Sequence, residues 1–281
     1  MSSRFEKEMI AGHMHARRAA YRRKVEEARE GIRAMRDLAP EAYASLSFGK
    51  QSLCMADLLQ EIAPEVPFYF LASGESWDLH NYAEVIESFL DDHPEADVTI
   101  VQTNVVGLDI EHHISALKGA CPSITFRRMN WHPPEGDWKT CRDRGDEDLQ
   151  NMCDRENWQG WYMGLAKEES RGRAITLSKT WEGQPHPSIF RYKDGKYRCC
   201  PLRNWTTQDV AAYVATQGIP LLDAYLQDGL FIRTTARLTK MSVQKGELTR
   251  LRKRNPSAYR RLCARFPELR NKLHEVPYAR N

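Results

Sequence analysis

Residues 47 to 52 read SFGKQS and sit between a short apolar run and an amphipathic one. Phosphate oxygens are held by backbone N–H groups in a concave turn, by a cation and by hydroxyl donors. Here Gly49 permits close backbone approach, Lys50 supplies the cation, and Ser47 and Ser52 supply hydroxyls, with Phe48 and Gln51 completing the turn. A helix beginning near Gln51 would add the positive end of its dipole. The spacing differs from the GxxxxGK[ST] loop. Taken alone, the six residues fit a polar strand-to-helix turn with a surface lysine equally well.

Two further segments carry groups suited to a ligand. FLASGESWD, Phe70 to Asp78, closes an apolar run with Ser73 and Gly74, and its Glu75 and Asp78 are candidates for ribose or metal contact, a solvated loop being at least as good a reading. A crevice beyond the carboxyl ends of parallel strands is where such sheets bind ligands. GLAKEESRGR, Gly164 to Arg173, offers Ser170 with Arg171 or Arg173, whose guanidinium forks match phosphate or sulfate. By itself this stretch is an ordinary charged turn.

The elements that must position these groups follow from periodicity. Residues 4–37 read as one long helix ending near Leu38-Ala39-Pro40. Strands are expected at Ala42–Leu46, Val66–Ala72 and Asp97–Gln102, with helices at Ser52–Ile62 and Asn81–Leu90 between them. Such alternation predicts a parallel sheet with right-handed crossovers. Residues 106–160 give a weak pattern, with a helix expected over Glu147–Trp158 and a strand end at Trp161–Leu165. Thr206 and Thr207 predict the start of a helix over Gln208–Thr216. Lys240–Arg265 reads as basic helix interrupted at Pro256.

With these residues in place, the chain resembles the PP-loop ATP pyrophosphatases, in their phosphoadenosine phosphosulfate (PAPS) reductase-like branch. SFGKQS is similar to the SGGKDS loop, FLASGESWD to the LDTG turn beside the adenine, and GLAKEESRGR to a GxRxDES..R stretch. The segment from Tyr197 to Gly229 resembles a "PL..W...DV..Y.....IP....Y..G" signature and reads as structural, with Trp205 capping the core. The resemblance spans Ala42 to Gly229. It implies an α/β, doubly wound parallel sheet of the adenine nucleotide alpha-hydrolase-like, Rossmann-like kind, with basic helical N- and C-terminal extensions. The divisions expected are 1–38, 39–230 and 231–281.

The resemblance also implies site roles. Ser47, Phe48, Gly49, Lys50, Gln51 and Ser52 would surround the phosphates, while Ser73, Gly74, Glu75 and Arg171 would complete nucleotide binding. Lys50, Ser170 and Arg173 would carry catalysis. Phe48 stands where the family has its first glycine, Gln51 where it has an aspartate associated with magnesium, and Ala166 where it has an arginine, with Lys167 beside it. The implied ligand is ATP or PAPS, with Mg2+ as an accompanying ion whose use Gln51 puts in question.

Cys199-Cys200 matches a vicinal pair in iron–sulfur relatives, but no later CxxC follows, so no cluster is expected. The ECG(I/L)H-type cysteine tail of the reductases is also missing from the sequence. Cys141 lies beside Arg142 and Arg144, which would lower a thiol's pKa; an inert cysteine is the plainer reading. His112, His113 and His132 are scattered, and no ligand set has metal-site spacing.

Composition bounds the rest. No run approaches the roughly 18 apolar residues of a membrane span, and the charged start lacks a signal peptide's core, so a cytoplasmic protein is expected. Residues 1–37 hold ten Lys/Arg against six Asp/Glu, and residues 229–281 hold fourteen against three. The middle is therefore acidic. The basic C-terminal segment, from Arg250 to Arg265 with Tyr259 among its cations, suggests nucleic acid or a protein partner; a solvated helix is the alternative. Three functions remain open. They are ATP cleavage to adenylate a substrate in sulfur chemistry or nucleic-acid modification, PAPS or adenylylsulfate reduction, and a degenerate nucleotide-binding module with basic arms.

Overall fold

The computed structural model describes residues 3–72, 82–102, 125–128, 156–232, 247–254 and 256–273. Its frame is a seven-stranded sheet in the order β4-β3-β2-β1-β5-β7-β6. The strands are β1 (Ala42–Ser45), β2 (Phe68–Ala72), β3 (Val98–Gln102), β4 (Thr125–Arg128), β5 (Gly160–Met163), β6 (Ile189–Arg191) and β7 (Tyr197–Cys199). All pairings are parallel except β6 with β7. This is the mostly parallel, helix-flanked α/β sheet expected.

The strand order matters for function. From β1 the chain steps outward through β2 and β3 to β4, then β5 returns to the other flank of β1. The sequence direction therefore reverses between β1 and β5, and loops leaving those two strands must diverge. Such a switch point opens a crevice at the carboxyl ends of the strands.

Helices cover the sheet because their buried positions recur at helical spacing. In α2 (Ala19–Leu38) the buried residues are Tyr21, Val25, Ala28, Gly31, Ile32 and Met35. They join the main core with Leu53 and Leu59 of α3 (Lys50–Ile62), Ile86 and Phe89 of α4 (Tyr82–Asp92), and Val210 and Val214 of a helix over Thr207–Gln217. That last helix, α6, follows the short α5 (Arg171–Thr176) and precedes α7 (Asp223–Asp228). Thr206 alone is its N-cap, forming a reciprocal capping box with Asp209.

The N-terminal region departs from the single helix expected. It forms α1 (Arg4–Ala16) and α2, separated at Arg18, whose ψ of 134° is extended. The reason lies in packing: α1 lies along α6, and a Cβ added at Gly12 would stand 2.6 Å from the Ala211 carbonyl oxygen. A continuous helix could not both make that contact and bury the apolar face of α2.

At the other end, α8 (Glu247–Arg254) and α9 (Pro256–Arg265) are separate, with Pro256 opening the second as the sequence suggested. Leu248, Leu251, Leu262 and Cys263 are buried, while Arg252, Lys253 and Arg260 are exposed. The Arg252 guanidinium sits over the Tyr259 ring, 6.0 Å from its centroid. No helix among the described residues is long and apolar enough to cross a membrane. The expected helix over Glu147–Trp158 falls outside the described residues as far as position 155, and positions 156–158 are not helical.

Candidate nucleotide site

The loops leaving β1 and β5 border one cavity of about 360 Å³. Ser47, Gly49, Lys50, Gln51 and Ser52 form one wall, and Gly164, Leu165 and Arg173 form the other. Gly164 makes this meeting possible: a Cβ there would lie 2.8 Å from both the Cα and the N of Ser52. Only a residue without a side chain lets the two loops touch at that point.

Gly49 is the N-cap of α3 and provides no side-chain cap. The first turn of α3 therefore places the positive end of the helix dipole beside the cavity, with the Lys50 N–H directed to the Tyr225 hydroxyl. Ser47 and Ser52 are bound to each other: the Ser47 N–H donates to Ser52 Oγ at 3.2 Å, and Ser52 Oγ donates to the Gly49 carbonyl at 3.1 Å. These bonds fix the turn, so the hydroxyls serve its shape as well as any ligand.

Lys50 is not the surface lysine that such a turn usually carries. It is 5% exposed, its Nζ donates to the Ile232 carbonyl at 3.0 Å and lies 5.0 Å from the centroid of the Tyr225 ring. Its backbone N–H donates to the Tyr225 hydroxyl at 3.4 Å. Tyr225 belongs to the segment that sequence reasoning took as structural. It reaches the cavity because Ile219-Pro220 turns the chain back and α7 then lies over the start of α3. Phe231 and Thr207 also line the cavity, and neither carried a sequence signal beyond the helix cap at Thr206.

Phe48 is not among the residues that line the cavity. Its φ of 50° is left-handed, a conformation that favours glycine, and its side chain is buried. The ring packs edge-on against Phe70, Tyr82 and Phe89 at centroid distances of 5.0, 6.5 and 6.3 Å. Aromatic packing of this kind offsets the cost of the backbone conformation.

On the opposite wall, Ser170 is the N-cap of α5, its Oγ accepting the Arg173 N–H at 3.2 Å. Neither Ser170 nor the exposed Arg171 lines the cavity, whereas Arg173 does, paired with Glu169. Lys167 does not replace the missing arginine: burial and neighbouring Arg203 lower its pKa, and it stays off the cavity wall. Ser73, Gly74, Glu75 and Asp78 lie outside the described residues, as do Cys141 and the three scattered histidines.

The carboxylates on the wall are already engaged. Glu168 accepts the Thr207 N–H at 2.5 Å, and Glu169 accepts the Ala166 N–H at 2.9 Å besides pairing with Arg173. With Gln51 a neutral amide, the described residues do not form a cage for Mg2+, which prefers carboxylates and phosphate oxygens. No group of three or more His, Cys, Asp or Glu among the described residues has metal-binding geometry. Cys199 and Cys200 are buried, and desolvation pushes the Cys200 thiol up to about 12 and that of Cys199 higher still, which makes both poor nucleophiles.

This glycine–lysine turn at the switch point of such a sheet meets an independent observation. The family model of the phosphoadenosine phosphosulfate reductase domain matches residues 41–262. The chain belongs to this family. Among curated relatives, the phosphoadenosine 5'-phosphosulfate reductase of Xanthomonas campestris is 22% identical over 181 residues, covering 64% of each chain. The adenosine 5'-phosphosulfate reductase of Bacillus pumilus is 26% identical over 179 residues, covering 61% of this chain and 62% of its own. The chain thus spans a little under two thirds of the length of these relatives. A solved phosphoadenylyl-sulfate reductase from Candida auris, in a phosphate complex, superposes with a TM-score of 0.46 at 18% identity, over 72% of this chain and 84% of that one.

Proposed function

We propose that this member of the phosphoadenosine phosphosulfate reductase domain family is an adenine-nucleotide enzyme that cleaves ATP between its α- and β-phosphates. The acceptor's nucleophilic atom bonds to the α-phosphorus, the bond to the bridging oxygen breaks, and pyrophosphate leaves with the electron pair. The adenylyl group passes to an acceptor in sulfur chemistry or nucleic-acid modification. The supporting observation is the uncapped start of α3, with Lys50, opening into the switch-point cavity opposite Arg173. Positive charge and fixed N–H groups there would stabilise negative charge developing on the phosphates. Ser170 would hold the turn that aims Arg173, a positioning role.

Labelled ATP tests the reading, since released pyrophosphate supports it. Sulfite from PAPS would support a reductase instead, the reading favoured by the curated relatives. Tight binding without turnover would support a nucleotide-binding module.

Lys50→Met keeps the buried volume and removes the charge. Loss of a charge-assisted phosphate contact costs about 1.5–3 kcal/mol, so ATP should bind roughly tenfold to a hundredfold more weakly. Calorimetric titration checks this, and an unchanged dissociation constant would show that Lys50 does not face the phosphates. Gln51→Asp places a carboxylate on the cavity wall and should tighten binding of magnesium–ATP relative to metal-free ATP. Equal affinities with and without magnesium would show that position 51 does not face the ion.

A further inference from the structure

A second cleft, of about 280 Å³, lies at the β6–β7 hairpin and has no role in the site above. Thr176, Lys179, Trp181, Arg191, Tyr192 and Arg198 are among its lining residues. Its construction begins in strand register. Trp161 of β5 pairs with Arg198 of β7, and Arg198 pairs with Phe190 of β6, so the three form one row on one face. Tyr192 lies two residues beyond Phe190 and joins that face.

The Arg198 guanidinium is held between two rings, 5.3 Å from the Phe190 centroid and 5.4 Å from that of Tyr192. The Trp161 ring lies 5.0 Å from Tyr192. Trp181 is fixed from the other side, its Nε1 donating to the Ile189 carbonyl at 3.2 Å. Arg198 Nε is a buried donor without a hydrogen-bond partner. Lys179, Arg191 and Arg198 make no ion pair among the described residues, and the acids nearest in sequence, Glu182 and Asp194, do not line the cleft.

Flat rings at fixed positions, interleaved with cations that make no ion pair among the described residues, are what a base and its flanking phosphates require. An acidic peptide would use the cations but gains little from ring faces. A duplex would need a basic surface rather than a pocket, and this cleft has room for about one ring system. We propose that the cleft binds a base and the adjoining phosphates of a single-stranded nucleic acid. Its position adds to the case. Arg173 on the nucleotide cavity and Thr176 on the cleft are three residues apart on α5, about 4.5 Å along the helix axis. A strand in the cleft would lie beside the nucleotide cavity.

The test uses the full chain without ATP, so its outcome is separate from that of nucleotide cleavage. Fluorescence anisotropy is followed with labelled oligo-dT and oligo-rU across a salt series. Tyr192→Ala should weaken binding about tenfold through lost stacking, while Tyr192→Phe should bind like the parent. Lys179→Glu with Arg191→Glu should weaken it by at least about tenfold and lower the salt slope by about two. Thermal melting of each variant verifies folding, and comparison of the two oligonucleotides identifies DNA or RNA as the source. Four results would overturn the proposal: no binding by the parent at low salt, equal binding by every variant, equal affinity for duplex, or displacement by polyglutamate as readily as by oligonucleotide. The second would move any nucleic-acid contact elsewhere, to the basic helices α8 and α9 for example.

Discussion

Asp209→Ala is expected to lower the stability of the folded chain by about 3 kcal/mol, because it breaks a buried, fully engaged carboxylate. Asp209 is 1% exposed. It accepts from Lys24 Nζ at 2.6 Å, from the Thr206 N–H at 2.7 Å and from the Thr206 hydroxyl at 2.8 Å, and lies 2.7 Å from His15 Nε2. One side chain thus joins α1, α2 and the cap of α6. Burial works against its ionisation, yet the bonds from Lys24, Thr206 and His15 outweigh burial and hold its pKa below the ordinary carboxylate value. A depressed folded pKa makes the stabilisation complete above the unfolded value of about 3.9 and removes it as pH falls through the folded value. Urea denaturation at neutral and acid pH checks both parts. The gap between parent and Asp209→Asn should be widest near neutrality and should narrow as pH falls through the depressed folded pKa. A gap independent of pH would mean that the carboxylate charge is not what is lost.

Gly164→Ala should be nearly as damaging, although it adds one methyl group. The new Cβ would meet Ser52 Cα and N at 2.8 Å and Gln51 C at 2.9 Å, all backbone atoms that no rotamer change can clear. Overpacking of this kind costs about 1–3 kcal/mol. The relief open to it is for the β5 loop to move away from the start of α3, which separates Arg173 from the proposed phosphate loop. Nucleotide affinity should therefore fall about tenfold, as misplacement of anchoring groups by fractions of an ångström allows. Denaturation and ATP titration on the same preparation distinguish the outcomes. Lost stability with full affinity would show that the two walls need not touch for binding.

Why the strand, glycine turn and helix start around residues 47–52 could be read in sequence, while part of the cavity lining could not, has a physical basis. The loop is local: a strand, a glycine turn and a helix start are continuous in the chain, and periodicity reports each. The first three strands and the helix after Thr206 were legible for the same reason. Tyr225, Phe231 and Thr207 reach the cavity only through tertiary return of the chain, which no local pattern encodes. Phe48 shows the converse. Its side chain sits in the core, and only the resemblance to a loop with glycine at that position pointed to its left-handed φ. The break at Arg18 was missed because every residue around it favours helix, and the contact at Gly12 overrides that preference. The short strands β6 and β7, three residues each, carry too few positions for alternation to register.

The Lys50–Ile232 bond at the cavity's edge is continued by contacts from α1, with a consequence for heredity and for engineering. Glu8 of α1 accepts the Leu230 N–H at 2.6 Å, and the Arg4 guanidinium lies 5.8 Å from the Phe231 ring centroid. One residue later, Ile232 takes the bond from Lys50. The first turns of α1 are therefore tied to one edge of the pocket through a bond that spans 222 positions of chain. Substitutions at positions 4, 8 and 229–232 should be inherited together. A fusion partner that unwinds α1 should weaken nucleotide binding at the proposed site, with every residue of the SFGKQS turn intact.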